Sequence, residues 1–355
     1  MSQFLDGVGV IFSLEMRQRL RGVAWYVLLG VFFGILLLIT VVTSIVVFSS
    51  SGIDAQQHVG GPLYSLVIYF VLLLGVLVAP AMSGNAINGD RDAGTLATTQ
   101  VTLITTWQLV LGKFLAAWVT ALGFLAVSAP FLVYSAVVGG TSPTTILISL
   151  LVLILELGVV AAIGVGLSGL ITRPLFSVVV TYLAVAALTL GTLIAFVLGG
   201  LALQTKTVMY DYDNVYQKSG TCTGLHQFTE PVPRFDLDWG VLAPNPFVVI
   251  SDAIPATYDK YGSASDLFGT FKWAERSAQQ SPFRANTPAA ACRQDLQNDS
   301  DTYTGPDAAS VIATTTPSWA VGIAIQLVLA VAALLGAWAK TRTPARRLSK
   351  GSRIA

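Results

Sequence analysis

The chain has 355 residues, of which 54% are hydrophobic and only 11% are charged, and 20 basic residues nearly balance 19 acidic ones. Soluble domains carry about a quarter charged residues, so this composition excludes a soluble globular class and indicates an integral membrane protein. Two cysteines and two histidines, with no Cys-x-x-Cys or His-x-x-x-His spacing, leave little material for a metal site. We predict no metal centre and no nucleic-acid partner.

The first 22 residues predict an amphipathic helix. Apolar residues recur at helical spacing from Phe4 to Phe12, and three arginines crowd the end of the segment. The arginines are Arg17, Arg19 and Arg21. This pattern is typical of an interfacial helix on the cytoplasmic leaflet, where basic residues are drawn to anionic lipid. The apolar run that follows is too long for a signal peptide, so it is predicted to be the first membrane span.

Six apolar runs are long enough to cross the membrane, since about 20 residues at about 1.5 Å of rise span the hydrocarbon. The runs are 23–48, 63–82, 108–138, 145–171, 175–203 and 319–339. Unpaired amides cost too much in lipid and no alternating barrel segments occur, so the spans are predicted to be helices. The predicted fold is an all-α polytopic membrane protein, with five spans in 23–203 and the sixth in 318–339.

A polar stretch, 85–106, separates the second and third apolar runs. Asp90, Arg91 and Asp92 stand together in a chain where charged residues are scarce, and glycines on both sides allow sharp turns. Apolar and hydroxyl residues alternate after Gly94, which suits a short helix lying along a membrane surface. From the residues alone, an ordinary solvated loop explains the pattern equally well.

This stretch resembles the region after the second span in permease subunits of ABC exporters of the type 2 class. The matching residues are Asp90, Arg91, Asp92, Gly94, Thr95 and Leu96, followed by Leu111, Gly112 and Lys113. In that family the region is the coupling element that seats on the ATPase. The resemblance therefore implies that 85–106 is a cytoplasmic coupling element and that the first six residues contact an ATPase. Lys113 is expected to snorkel its ammonium back to the headgroups.

The resemblance also implies a function for the whole chain. Two permease chains, identical or different, would work with two copies of a separate ABC ATPase, whose ATP-driven closure pushes on 85–106 and expels an apolar or amphiphilic substrate outward. Drugs, lipids, glycans and peptides are the substrates of the family. The chain has no Gly-x-x-x-x-Gly-Lys-Ser or Thr motif, so we expect no bound cofactor and no enzyme activity of its own, with ATP and Mg on the partner.

Basic residues set the predicted orientation. With six spans and the N-terminus inside, every basic residue outside 204–317 falls on or near the cytoplasmic face, as the positive-inside rule requires. These residues are Arg17, Arg19, Arg21, Arg91, Lys113, Arg173, Lys340, Arg342, Arg346, Arg347, Lys350 and Arg353. Both termini, including the basic tail 340–355, are therefore predicted to be cytoplasmic, in a plasma membrane of the bacterial inner-membrane kind.

The segment 204–317 is then predicted to be a large extracytoplasmic domain between the fifth and sixth spans. It has 13 acidic and 8 basic residues and many aromatic ones, and it is too long for a simple connection. Its most apolar part, 239–258, is expected to dip into the outer headgroup region. Asn245, Pro246 and Phe247 resemble a motif in the short re-entrant helices that many type 2 permeases have before the last span.

The only two cysteines of the chain, Cys222 and Cys292, both lie in 204–317. In an oxidising compartment a disulfide between them would close a loop of about seventy residues, worth roughly 4 kcal/mol in the chain-entropy model. We predict this disulfide; two separate buried thiols are the alternative.

Polar residues within the spans are candidates for a translocation path. Glu156 lies near the centre of the fourth run, where an ionisable group costs about 2.5 to 3.5 kcal/mol, so it should face the bundle interior. It could line a transport route or bond a neighbouring hydroxyl such as that of Tyr182. Gln326 and Tyr134 are weaker candidates. Small residues recur beside Glu156 and predict a close approach by another helix. They are Gly158, Ala162, Gly166 and Gly169.

Two other function classes compete with the exporter. A non-transporting scaffold or sensor, with a ligand-binding extracytoplasmic domain, explains the size of 204–317 better but the Gly-Thr-Leu and Leu-Gly-Lys pattern worse. A membrane-embedded enzyme would need several ionisable groups at depth, and only Glu156 qualifies.

Overall fold

A computed structural model describes residues 2–50, 60–94, 104–216, 221–256, 258, 264–282, 287–289, 291–292 and 308–342. Within these ranges, six helices are long and apolar enough to cross a membrane. They are Val23–Ser49, Gly61–Asp92, Thr106–Gly139, Pro143–Leu170, Pro174–Ala202 and Ser318–Thr341. The chain is therefore a mostly helical, membrane-embedded multi-pass protein, which confirms the predicted fold class at that level.

The described elements follow one another along the chain with short connections. The first helices are α1 (Ser2–Arg21), α2 (Val23–Ser50), α3 (Gly60–Ser83), α4 (Asn88–Asp92), α5 (Thr106–Gly139), α6 (Pro143–Leu170), α7 (Pro174–Ala186), a π-helical turn (Ala187–Gly191) and α8 (Thr192–Ala202). The later elements are β1 (Gln204–Tyr216), β2 (Thr221–Pro233), a 3-10 turn (Phe235–Leu237), α9 (Trp239–Leu242), α10 (Pro246–Ala253), α11 (Leu267–Ala278), α12 (Ala308–Thr314) and α13 (Ser318–Thr341).

The chain divides into two compact units. The first unit comprises Met1–Ala187 with Ala324–Ala355, and the second comprises Leu188–Ile323. Both boundaries fall inside helical segments, whereas the sequence analysis placed its domain boundaries at 204 and 317, where polar composition begins and ends. The predicted boundaries concern the sides of the membrane, so they remain predictions beside this division.

Local sequence signals start and stop the long helices of the first unit. Thr105 caps α5, because its hydroxyl accepts from the Gln108 amide while the Gln108 side chain returns to the Thr105 amide. α5 ends where Gly140 adopts a left-handed conformation with φ of 56°. Ser142 caps α6, and Pro143 follows at its first position, where the missing amide hydrogen costs nothing.

Helix α6 packs against α3, α5 and α7 in the first unit. Its glycines make room for close neighbours, as the spacing predicted: Gly158 faces the Trp118 ring, and Gly166 and Gly169 face α13 at Ala333 and Ala337. A Cβ on Gly166 would stand 2.6 Å from the carbonyl carbon of Ala333, which is too close for any real contact. The two helices therefore pack backbone to backbone along this stripe.

We expect the Gly166→Ala substitution to destabilise the protein by about 1–3 kcal/mol, because the added methyl forces α6 and α13 apart. Gly34→Ala is the matched control, since Gly34 is also helical but has open space around it. That substitution should leave stability unchanged or raise it. Thermal unfolding midpoints in one detergent measure both changes, and equal midpoints for the two variants would contradict the packing argument.

The second unit contains a β-hairpin that the sequence analysis did not predict. β1 and β2 pair antiparallel from Gln204 opposite Pro233 to Tyr216 opposite Thr221. Gly224 has a φ of 77°, and a Cβ there would collide with Asp213, so glycine is required.

The predicted disulfide is present. Cys222, on β2, is bonded to Cys292, with 5.7 Å between the two Cα atoms. It ties the hairpin to a chain segment 70 residues further on.

Candidate functional site

Helix α1 is fastened along the start of α5. Gly112 leaves room for Ile11, because a Cβ at that glycine would stand 2.7 Å from the Ile11 Cβ. Gln108 adds polar contacts, since its Nε2 donates to the backbone carbonyls of Gln3 and Phe4 at 3.2 Å each. The amide that caps α5 therefore also holds the beginning of α1 in place.

The ammonium of Lys113 is the centre of a buried ionic cluster. Its side chain is only 1% exposed and forms ion pairs with the carboxylates of Glu15, on α1, and Asp90, on α4. The distance from Nζ to the Asp90 Oδ2 is 2.6 Å, and Nζ also donates to the Ala86 carbonyl at 2.8 Å. One cation thus joins α1, α5 and the turn before α4. We call Glu15, Asp90 and Lys113 the lysine cluster.

The charge of the lysine cluster is balanced by Arg19. Its Nη2 lies 3.7 Å from the second oxygen of Glu15, one helical turn away. Burial lowers the pKa of the Arg19 guanidinium, and the nearby Glu15 opposes that shift. Two cations and two carboxylates are therefore present together, so the net charge of the buried group is zero.

The turn between α3 and α4 is bound to the end of α6. The Ser168 hydroxyl accepts from the amides of Ile87 and Asn88, at 3.0 and 3.1 Å. The Asn88 Nδ2 donates to the Ile171 carbonyl at 2.5 Å, and Arg91 donates to the Asn88 Oδ1 at the same distance. These bonds satisfy backbone groups that two helix ends leave open.

The tip of this segment is its solvent-accessible part. Asp92 is exposed, as is Gly94, which has a φ of 69° and reverses the chain there. The predicted surface helix, with Thr95 and Leu96, falls on 95–103, outside the described residues. Of the six predicted ATPase-coupling residues, Asp90 and Arg91 thus hold the turn in place, whereas Asp92 and Gly94 are presented outward.

The predicted snorkelling of Lys113 is wrong. The side chain is buried rather than directed to headgroups, because two carboxylates satisfy its charge within the protein. Sequence reasoning missed Glu15 altogether. A signal was available, because Glu15 lies on the same helical face as Val8 and Ile11, and an acid on an apolar face calls for a buried cation.

The three predicted translocation-path residues do not form one site. Glu156 and Gln326 are both fully buried, and the two side chains interact between α6 and α13. Neither Glu156 oxygen has a hydrogen bond of good geometry to a described residue. Tyr134 lies apart, 42% exposed, with its hydroxyl 3.3 Å from that of Ser44. Tyr182, considered as a partner for Glu156, donates instead to the Leu77 carbonyl.

In the second unit, Asn245 binds the π-helical turn. Its Nδ2 donates to the Thr189 carbonyl at 2.7 Å and to the Thr192 hydroxyl at 2.9 Å. Its Oδ1 accepts from the Phe247 amide and so caps α10. A π-turn leaves backbone carbonyls without their usual helical donors, and such turns are frequent at functional sites. The asparagine therefore supplies a donor that the helix itself lacks.

Comparison of the sequence with protein-family models and with curated proteins gives no match.

Proposed function

We propose that the chain is the membrane-spanning permease subunit of an ATP-driven exporter of the type 2 ABC class. A separate ATPase would dock on 85–106 and drive an apolar or amphiphilic substrate, such as a drug, lipid, glycan or peptide, outward. The lysine cluster is the observation that carries this proposal. A docking segment can drive a transporter only if it is rigidly connected to the membrane helices, and Lys113 provides that connection.

Force applied at the exposed tip has defined routes into the helices. Asp90 passes it through Lys113 to α5 and through Glu15 to α1. Ile87 and Asn88 pass it through the Ser168 hydroxyl to α6. Packed helices joined by buried polar contacts move as units rather than deform continuously, so displacement of the tip would reorient these helices together.

The proposal includes a topology. With both termini and 85–106 in the cytoplasm of a plasma membrane, the basic residues outside 204–317 lie on or near the inner face, in agreement with the positive-inside rule. The hairpin, its disulfide and the following helices would then be extracytoplasmic, where disulfides persist. By resemblance to the family, two permease chains and two ATPase subunits would form the transporter, with ATP and Mg on the ATPase.

The test uses the exposed acid rather than the buried one. Asp90 belongs to the lysine cluster, so substituting it would disturb folding as well as docking. Asp92 is exposed, so Asp92→Lys changes the docking surface alone. We expect ATP hydrolysis that co-purifies with the tagged chain in mild detergent to fall by roughly tenfold, since reversing a charge at an interface costs about 1.4 kcal/mol or more.

Asp211→Lys is the control, because Asp211 is equally exposed but lies on the hairpin. It should retain the co-purifying ATPase. If wild type brings down no ATP hydrolysis under any condition, the exporter is refuted and the alternative gains, namely a scaffold or sensor whose outer domain binds a ligand. If Asp92→Lys retains full ATPase, docking on this tip is refuted.

A further inference from the structure

A second buried polar cluster, in the second unit, surrounds the start of α13. Asp252, at the end of α10, is 1% exposed and forms a two-point ion pair with Arg276 of α11, at 2.7 and 3.0 Å. The same carboxylate accepts from the Trp319 amide at 3.0 Å. A carboxylate on the first amides of a helix is favourable, because it satisfies open donors and meets the positive end of the helix dipole.

Helix α11 fastens the residues just before α13 as well. Arg276 donates to the Thr315 carbonyl at 2.9 Å. Gln279 donates to the Thr316 carbonyl and accepts from the Thr316 amide, at 3.1 and 2.9 Å. The backbone from Thr315 to Trp319 is therefore held at both ends by side chains from α10 and α11. We call this set of contacts the α13 clasp.

The carboxyl of Glu275 is buried inside the clasp without adequate partners. Its side chain lies against the Ser318 hydroxyl, yet neither oxygen has a hydrogen bond of good geometry to a described residue. The charged groups near it are Asp252 on α10, and Arg276 and Lys272 on its own helix. Arg276 is already committed to Asp252, and Lys272 donates to the Asp252 and Ile254 carbonyls.

Neither of the other neighbouring elements offers Glu275 a compensating charge. The described residues of α12, which packs against α11, have no titratable side chain, and those at the start of α13 contribute only hydroxyl and apolar groups. An ionised Glu275 would therefore be a second carboxylate beside Asp252, with both nearby cations already bonded elsewhere.

We propose that Glu275 is a proton-operated release for the start of α13: in its acid form the carboxyl leaves the clasp closed, and its ionisation in an alkaline medium opens the clasp. The opening admits water to Glu275 and breaks the bonds from Trp319 and Thr316. The inference depends only on contacts within the second unit and does not rest on the exporter proposal.

The titration of Glu275 falls in an accessible range. Burial raises the pKa of Glu275 from 4.5 to about 8, and the nearby Asp252 adds to the shift, while Arg276 and Lys272 oppose it. The closed form therefore holds a proton that the open form has lost at any pH between these values. Stability of the clasp must fall as the pH rises through this window.

Amide hydrogen exchange of the full chain in detergent tests the release. After correction for intrinsic rates, protection of the Thr316 and Trp319 amides in wild type should fall about thirtyfold from pH 6.5 to 9 if the open form regains its ordinary acidity. Amides of the β1–β2 ladder serve as internal controls and should keep constant protection. Glu275→Gln, which cannot ionise, should show constant protection at all sites.

Glu230→Gln is the matched variant, because Glu230 is exposed on β2, and it should behave like wild type. Constant protection in wild type would overturn the proposal without reference to any variant. An equal fall in Glu275→Gln would also overturn it, because another group, such as Lys272, whose pKa is lowered by burial, would then be responsible.

Discussion

Replacing Lys113 with methionine is expected to destabilise the protein by about 3–5 kcal/mol, because removal of one partner leaves buried charges uncompensated. Glu15 is 7% exposed and would have only Arg19, at 3.7 Å, as a counter-ion, and Asp90 would lose its contact altogether with this ammonium. We expect α1 and the α4 turn to separate from α5. A lower thermal unfolding midpoint in detergent, together with faster hydrogen exchange in α1, measures the loss.

Lys340→Met is the control for Lys113→Met, since Lys340 is exposed in the last turn of α13. It should leave the midpoint within about 0.5 kcal/mol of wild type. The triple variant Lys113→Met, Glu15→Gln, Asp90→Asn removes the stranded charges and should recover part of the stability, as neutral replacements of buried ion pairs do. If the triple variant is no more stable than Lys113→Met, packing of the lysine stem rather than charge explains the loss.

Asp252→Asn is expected to cost a similar amount, about 3–5 kcal/mol, because it leaves the Arg276 guanidinium buried without a counter-ion. The Arg276 side chain is 4% exposed and that of Asp252 is fully buried. The start of α13 would also lose a charged acceptor for the Trp319 amide. Chemical or thermal unfolding followed by intrinsic fluorescence measures the change.

The same substitution at Asp213 provides the comparison. Asp213 pairs with His226 at 2.9 Å on the hairpin, but its side chain is 59% exposed. Exposed pairs contribute about 0–1 kcal/mol, so Asp213→Asn should be nearly silent. Similar losses at Asp252 and Asp213 would show that burial does not govern the strength of these pairs.

The membrane helices could be predicted because one physical requirement, about 20 apolar residues to cross the hydrocarbon, is written in consecutive residues. The disulfide could be predicted because only two cysteines exist. The glycine stripe of α6 was predictable as a contact surface for the same reason, since its spacing is local. Its partner, α13, was not.

The lysine cluster could not be predicted, because its members come from parts of the chain that are far apart. Glu15 and Lys113 are separated by 98 positions, and no periodicity links them. The hairpin was missed for another reason. β2 is exposed along most of its length, so it lacks the apolar alternation by which half-buried strands are recognised. Thr95 and Leu96 stay predictions, because they lie outside the described residues.

The bonds of Asn245 make the spacing within the π-turn matter more than its side chains. The Thr189 carbonyl and the Thr192 hydroxyl reach one amide only because two residues separate them. Deleting Leu190 or Gly191 would rotate Thr192 by about 100° around the helix, out of reach of that amide. Leu190 is 64% exposed, so replacing it would leave both bonds intact. The segment therefore tolerates changes of letter but not changes of length, and a one-residue deletion should be far more damaging than any exchange at Leu190.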